Sequence, residues 1–204
     1  MIQVLEINPY HIDTKSLYDI AQKIQNGAVV AFATDSTFSV ACSMSNKKGI
    51  NKILKITNKK EKQSKLSLLC QNIKEVSKFT KPFSNDIFKL MNHCLPGPYT
   101  FILKADKVVR KYFDNKKSEI GIRIPDKEVI LKLLENLDEP LLTTSLYDAE
   151  GSYYTDINDI VSTFNNDIDV MIDTGEGFEG ETTIFYCVEN QVEIIREGLG
   201  SIDV

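Results

Sequence analysis

Two histidines, His11 and His93, are all that the 204 residues contain. That argues against a Ser-His-Asp or Cys-His nucleophilic mechanism. The four cysteines, Cys42, Cys70, Cys94 and Cys187, are widely spaced and form no C-x-x-C pair. They read as reduced, mostly buried small hydrophobes. His93 beside Cys94 reads as a helix end rather than a ligand pair, so no structural metal is expected. Neither a G-x-S-x-G elbow nor a G-x-x-x-x-G-K-[ST] loop is present. No apolar run approaches the ~18 residues a membrane span needs, so no membrane partner is expected. The opening MIQVLEINPY shows no basic leader followed by an apolar stretch, which makes the cytoplasm the expected compartment.

What remains is an ordinary globular composition, 42% hydrophobic and 26% charged, at a length that suits about one domain. The net charge of −5 hides a segregation of sign. Residues 47–81 hold 11 Lys/Arg against 2 Asp/Glu, and residues 138–204 hold 1 against 16. The basic block is open to two readings: solvated helix faces and loops, or a surface for an anion such as phosphate, nucleotide or RNA.

Hydrophobic periodicity alternates strands with helices. Strands are expected near residues 1–7, 28–33, 37–42, 66–70, 99–103, 119–124, 141–144 and 170–172, with a closing hairpin of 182–188 and 192–196 around Glu189-Asn190-Gln191. Ala28 to Ala33 is apolar throughout, the pattern of a strand buried on both faces. Helices are expected at 14–25, stopped by Gly27; from a cap at Asn46 to about 56; near 72–79, 84–94 and 107–113; and at 126–137 and 156–165. Residues 58–65, rich in lysine, read as an exposed loop. No repeat or linker divides the chain, so the expectation is one α/β domain with a twisted mixed sheet.

Ligands of such sheets sit in loops beyond strand ends, and four polar places qualify. Thr34-Asp35-Ser36-Thr37 leaves a buried strand with hydroxyls and N–H groups suited to carboxylate or phosphate oxygens; a plain turn would use the same residues. Arg123, inside Ile122-Arg123-Ile124-Pro125, is costly to bury unless paired and is able to grip a carboxylate bidentately. Thr143-Thr144-Ser145 ends another strand. Arg196 is the one cation after Lys132, either an internal ion pair or an anion ligand. The sequence Gly175-Glu176-Gly177-Phe178-Glu179-Gly180 matches G-x-G-x-x-G. It leads into a strand and carries acids that would repel phosphate, so it reads as a flexible acidic loop instead.

In this order the motifs resemble the YrdC-like domain family, whose best-known members are threonylcarbamoyl-AMP synthases. Thr34-Asp35-Ser36-Thr37-Phe38 is similar to the family's P-T-D-T-x-Y, and Lys55-Ile56-Thr57 stands near its K-x-R. Pro96-Gly97-Pro98-Tyr99-Thr100 resembles P-G-P-x-T, and Gly121 to Pro125 resembles G-x-R-x-P. Thr144-Ser145 is similar to the start of T-S-x-N, Thr182-Thr183 to the S-T-V strand, and Arg196-Glu197-Gly198 to R-x-G. The resemblance implies one YrdC-like domain over residues 1–204, with a concave basic cleft. It further implies that threonine, bicarbonate and ATP, the last with magnesium, are joined into threonylcarbamoyl-AMP for tRNA modification. Carried over by position, Lys55 would be catalytic at the phosphates, and Thr34 and Arg123 would hold threonine. Ser145, Thr182 and Arg196, with Lys55, would contact the nucleotide. Four positions depart from the family: Thr57 replaces the Arg of K-x-R, Tyr147 the Asn of T-S-x-N, Phe38 the Tyr and Ser39 the Gly of the first motif. In these respects the chain looks more like the YciO branch, and the departures put weak or altered activity among the expectations. The alternative is a protein that binds double-stranded RNA or tRNA through the cationic cleft without synthase activity. With Phe79 the one aromatic in the basic block, such binding would read backbone shape and charge rather than stack on bases.

Overall fold

A computed structural model of the chain describes residues 1–57, 66–113 and 118–203; the lysine-rich loop expected at 58–65 lies outside them. Ten strands form a single mixed sheet: β1 (Gln3–Glu6), β2 (Val30–Ala33), β3 (Phe38–Ser43), β4 (Ser67–Leu69), β5 (Tyr99–Lys104), β6 (Glu119–Arg123), β7 (Leu141–Ser145), β8 (Val170–Asp173), β9 (Thr183–Tyr186) and β10 (Glu193–Arg196). Their order is β1-β8-β2-β3-β7-β4-β6-β5-β9-β10. Every strand expected from periodicity is present. The 182–188 and 192–196 segments pair antiparallel as the expected hairpin, β9 with β10.

Among the described residues seven α-helices accompany the sheet: α1 (Thr14–Gln25), α2 (Lys47–Ile56), α3 (Ile73–Val76), α4 (Asn85–Cys94), α5 (Lys107–Arg110), α6 (Glu128–Glu135) and α7 (Ile157–Thr163). Their ends follow local chemistry. Asp13 accepts from the N–H groups of Lys15 and Ser16 at the start of α1, and Gly27 turns the chain out at φ 100°. Asn46 caps α2 through the N–H of Gly49. The helix expected over 126–137 is shorter at its start because the Asp126 N–H is bound to Asp35 Oδ2 at 2.9 Å and Lys127 has extended backbone angles.

The two faces of the sheet are clothed unequally. On one face, Ile50 and Ile53 of α2, Ile87 and Met91 of α4 and Ile160 of α7 share a continuous core with Val40, Leu68, Phe101 and Ile122. On the other, α1 and α6 pack through Leu17, Ile20, Ile24, Ile130 and Leu133 onto Val30, Phe32, Ala41, Leu141 and Val170. That second cover reaches only part of the sheet. Strand side chains alternate between faces, so the uncovered stretch presents Ser39, Thr143, Ser67, Arg123 and Thr100, the alternates of the core residues Val40, Leu142, Leu68, Ile122 and Phe101.

α2 approaches β3 closely at Gly49, where an added Cβ would lie 2.8 Å from Cys42 Cβ and 2.9 Å from its Sγ. Gly49→Val should therefore destabilise the protein by about 1–3 kcal/mol through overpacking. At roughly 2–4 °C per kcal/mol for a chain of this size, thermal melting would show the loss; an unchanged midpoint would contradict this packing.

Candidate functional site: a hydroxyl-lined cleft on the uncovered sheet face

The uncovered face is a cleft lined by Ser36, Thr37, Ser39, Ser67, Thr100, Thr143, Thr144, Ser145 and Thr182, with Arg123, Arg196, Tyr147, Tyr153 and Ile184. Nine of these fourteen residues carry an aliphatic hydroxyl, so the cleft offers many short donors and acceptors on rigid strands.

One end of the cleft is built around Arg123. Its side chain and that of Asp35 are only 6% and 7% exposed, and the Arg123 Nη2–Asp35 Oδ1 distance is 2.5 Å. Both Nη atoms also lie 3.4–3.5 Å from Thr34 Oγ1. Thr34 in turn closes its own turn: its hydroxyl donates to Thr37 O at 2.8 Å and accepts from the N–H groups of Ser36 and Thr37. Burial draws the Arg123 pKa below the ordinary guanidinium value, Asp35 opposes that, and Arg196 nearby adds to the lowering. Arg123 Nε is buried and has no hydrogen-bond partner. A buried donor left unsatisfied is costly, so a ligand acceptor reaching this atom would gain strongly.

The other end is built around Arg196. In a regular strand Arg196 would face the same way as Ile194. The pairing of β10 with β9 instead slips at Ile195, so that Ile194 opposes Phe185 and Arg196 opposes Ile184. This bulge re-aims Arg196 to the cleft face. There its Nε donates to Thr182 O at 2.9 Å, Nη2 to Thr182 Oγ1 at 3.0 Å and Nη1 to Glu181 Oε1 at 3.0 Å. Thr182 Oγ1 continues to Thr100 Oγ1 at 2.9 Å. Tyr153 donates to Glu181, and its hydroxyl lies 3.2 Å from that of Tyr147. Burial and the bond to Glu181 raise the Tyr153 pKa, which keeps the phenol protonated. Between the two ends, Thr37 Oγ1 and Ser145 Oγ are 2.8 Å apart.

The structure thus brings Thr34, Arg123, Ser145, Thr182 and Arg196 to one cleft. Lys55 stands apart. It projects from α2, which packs on the far face of the sheet, is 78% exposed, and pairs with Asp167 at 3.3 Å. The basic character expected of the cleft is also missing among the described lining residues: their only charges are Arg123 and Arg196, each paired with its own carboxylate. The described lysines of α2 lie on the opposite side, and Lys52 is paired with Asp169. Asp35 and Glu181, which hold the two arginines, carry no local signal of that role. The hydroxyls of β4, β5 and β7 could be found from alternation alone, because Ser67, Thr100 and Thr143 each flank a core residue.

Among the described residues, no group of three or more His, Cys, Asp or Glu is placed to hold a metal, and no helix is long and apolar enough to cross a membrane. All four cysteines are buried.

The family model for Sua5/YciO/YrdC proteins, described as telomere recombination, matches residues 22–198. The uncharacterized protein YciO of Escherichia coli is 30% identical over 99% of this chain and 98% of its own. The crystal structure of E. coli YciO superposes with a TM-score of 0.90, covering 100% of this chain and 98% of that one. A threonylcarbamoyl-AMP synthase of Vibrio campbellii is 23% identical over 64% of this chain and 71% of its own. Sua5 of P. abyssi, solved in complex with L-threonine, shares the fold with a TM-score of 0.85 at 21% identity, over 97% of this chain and 57% of that one.

The cysteines give a pH-dependent expectation. Burial pushes the thiols of Cys42 and Cys187 up to about 12 and that of Cys94 to about 11, from 9.0. An acid whose folded pKa is raised is neutral in the fold but ionises once unfolded, so stability is full below the unfolded value and falls as pH rises past it. Chemical denaturation should show loss of stability above about pH 9, with slow alkylation of the folded protein at pH 8. Rapid alkylation of all four thiols in the native state would contradict the burial.

Proposed function

The chain belongs to the Sua5/YciO/YrdC family, and on that premise we propose that its cleft binds L-threonine beside an adenine nucleotide and serves the joining of threonine, bicarbonate and ATP into threonylcarbamoyl-AMP. The observation that carries this reading is the buried Arg123 of the cleft lining, pinned by Asp35 and Thr34, with an Nε that no protein acceptor satisfies. A carboxylate is the acceptor that fits it best. Thr34 stands beside that position, where it would meet an amino-acid ligand held by its carboxylate. Ser145, Thr182 and Arg196 form the other end, suited to phosphate and ribose oxygens; ATP would enter as its magnesium complex, as substrate. The distant relatives named as threonylcarbamoyl-AMP synthases, and the Sua5 structure with threonine, support the same substrate pair.

No described lysine lines the cleft, and Thr57 and Tyr147 stand where the family carries Arg and Asn. Losing one charged contact to the transition state costs roughly 3 kcal/mol, or about 100-fold in rate. Binding should therefore outlast fast turnover. The alternative, binding of tRNA or double-stranded RNA through a cationic cleft, is less well supported, because the charges among the described lining residues are Arg123 and Arg196, each paired with a carboxylate.

The test is calorimetric titration with threonine and with ATP, together with pyrophosphate release. Expected are saturable binding of both ligands and a slow release that requires ATP, threonine and bicarbonate together. Absence of binding at millimolar ligand, with no pyrophosphate at high protein concentration, would overturn the reading. A salt-sensitive shift of duplex RNA without either ligand binding would favour the alternative.

A further inference from the structure

Residues 174–182 hold three glycines and three glutamates, a composition that suggests a loose acidic loop. The structure gives it a fixed place. The N–H groups of Glu179 and Gly180 both donate to Ser36 O, at 2.7 and 3.1 Å. Ser36 is the centre of the 34–37 turn beside Arg123. The loop then runs directly into Glu181 and Thr182, which hold Arg196. One short segment therefore touches both ends of the cleft.

Lys127 holds that segment down. Lys127 Nζ lies 2.9 Å from Glu176 Oε1 and 2.8 Å from Glu179 Oε1, and its side chain is 17% exposed. Glu176 also accepts the Thr174 hydroxyl at 3.2 Å. Two carboxylates gathered on one ammonium would repel each other without it. Lys127 comes from the start of α6, four residues beyond Arg123. Residues 123–127 thus grip the 34–37 turn twice. Arg123 and the Asp126 N–H hold the Asp35 side chain. Lys127 holds the acidic loop, whose N–H groups hold the Ser36 carbonyl.

We propose that Lys127 is a positioning residue for ligand binding: by pairing with Glu176 and Glu179 it docks residues 174–182 on the Ser36 carbonyl and keeps the Thr34 turn at the spacing a bound amino acid needs. The inference rests on the reading that threonine binds at Arg123 and Thr34. Lys127 is not among the residues that line the cleft; its influence passes through the acidic loop. That route separates it from a residue that only stabilises the fold, because losing it leaves the sheet intact and loosens one turn.

The test is threonine titration of the whole protein with hydrogen exchange at the Glu179 and Gly180 amides. Lys127→Met should weaken threonine binding by about tenfold and speed exchange at those two amides, with exchange across β2 and β3 unchanged. Lys127→Arg should restore binding to within about threefold, since it keeps the charge between the two glutamates. In a Glu176→Gln, Glu179→Gln background the same Lys127→Met change should cost little, because the repulsion it releases is gone. Binding by Lys127→Met equal to wild type overturns the inference, as does an equal loss in the glutamine background. Should Lys127→Met fail to fold, the glutamine pair decides: fast exchange at the two amides with weakened threonine binding supports the inference, and wild-type behaviour of both overturns it. A wild-type protein that binds no threonine overturns the functional reading and this inference together.

Discussion

The pairing of Arg123 with Asp35 is the constraint on which the rest of the cleft depends. A guanidinium and a carboxylate this far from water are each costly, and breaking such a pair by removing one partner typically costs about 3–5 kcal/mol. Each charge therefore dictates the place of the other. Arg123 is fixed by β6, where it stands across from Leu69 of β4. Asp35 must come to it, and the 34–37 turn comes with Asp35. The second oxygen of Asp35 takes the Asp126 N–H, which sets where α6 can begin. Once these groups are satisfied, the remaining Arg123 Nε has no protein acceptor, so the same pair that secures the turn leaves one buried guanidinium donor unsatisfied.

The sheet explains why this happens where it does. Ten strands are too many for α1 and α6 to cover on one face, and where their cover stops the strands turn from Val, Leu and Ile to Ser and Thr at alternate positions. The opposite face stays apolar across the same strands, so the cleft is backed by a rigid core. The charge segregation of the chain also has a spatial meaning. The described lysines of α2 lie on the far face, whereas the acidic C-terminal third supplies Ser145, Glu181, Thr182 and Arg196 to the cleft. Arg196 reaches it only because of the bulge at Ile195. Among the described residues the cleft lining is polar and balanced in charge, with Arg123 and Arg196 each paired with a carboxylate.

Much of the fold was legible in the sequence because it rests on short periods. Ala28 to Ala33 reads as a doubly buried strand, Leu17, Ile20, Ala21 and Ile24 as a helix face, and Gly27 as its stop. The ordered motifs around Thr34, Arg123, Ser145, Thr182 and Arg196 also converge in space. What spacing does not carry is long-range pairing. Nothing local marks Asp35 as the partner of Arg123, or Lys127 as the partner of Glu176 and Glu179, some 50 residues away. For the same reason the acidic loop reads as flexible when its charges are viewed alone. Lys55 lies among the motif residues in sequence, but the apolar positions of α2 turn it to the other side of the sheet from the cleft.

The proposed grip of Arg123 on a ligand carboxylate is tested most directly by titrating the protein with L-threonine and with L-threoninamide, which differ only in replacing that carboxylate by a neutral amide. Saturable binding of threonine is expected, with at least about tenfold weaker binding of the amide, the scale of one charge-assisted contact. Equal affinity for the two compounds would show that Arg123 does not read the carboxylate.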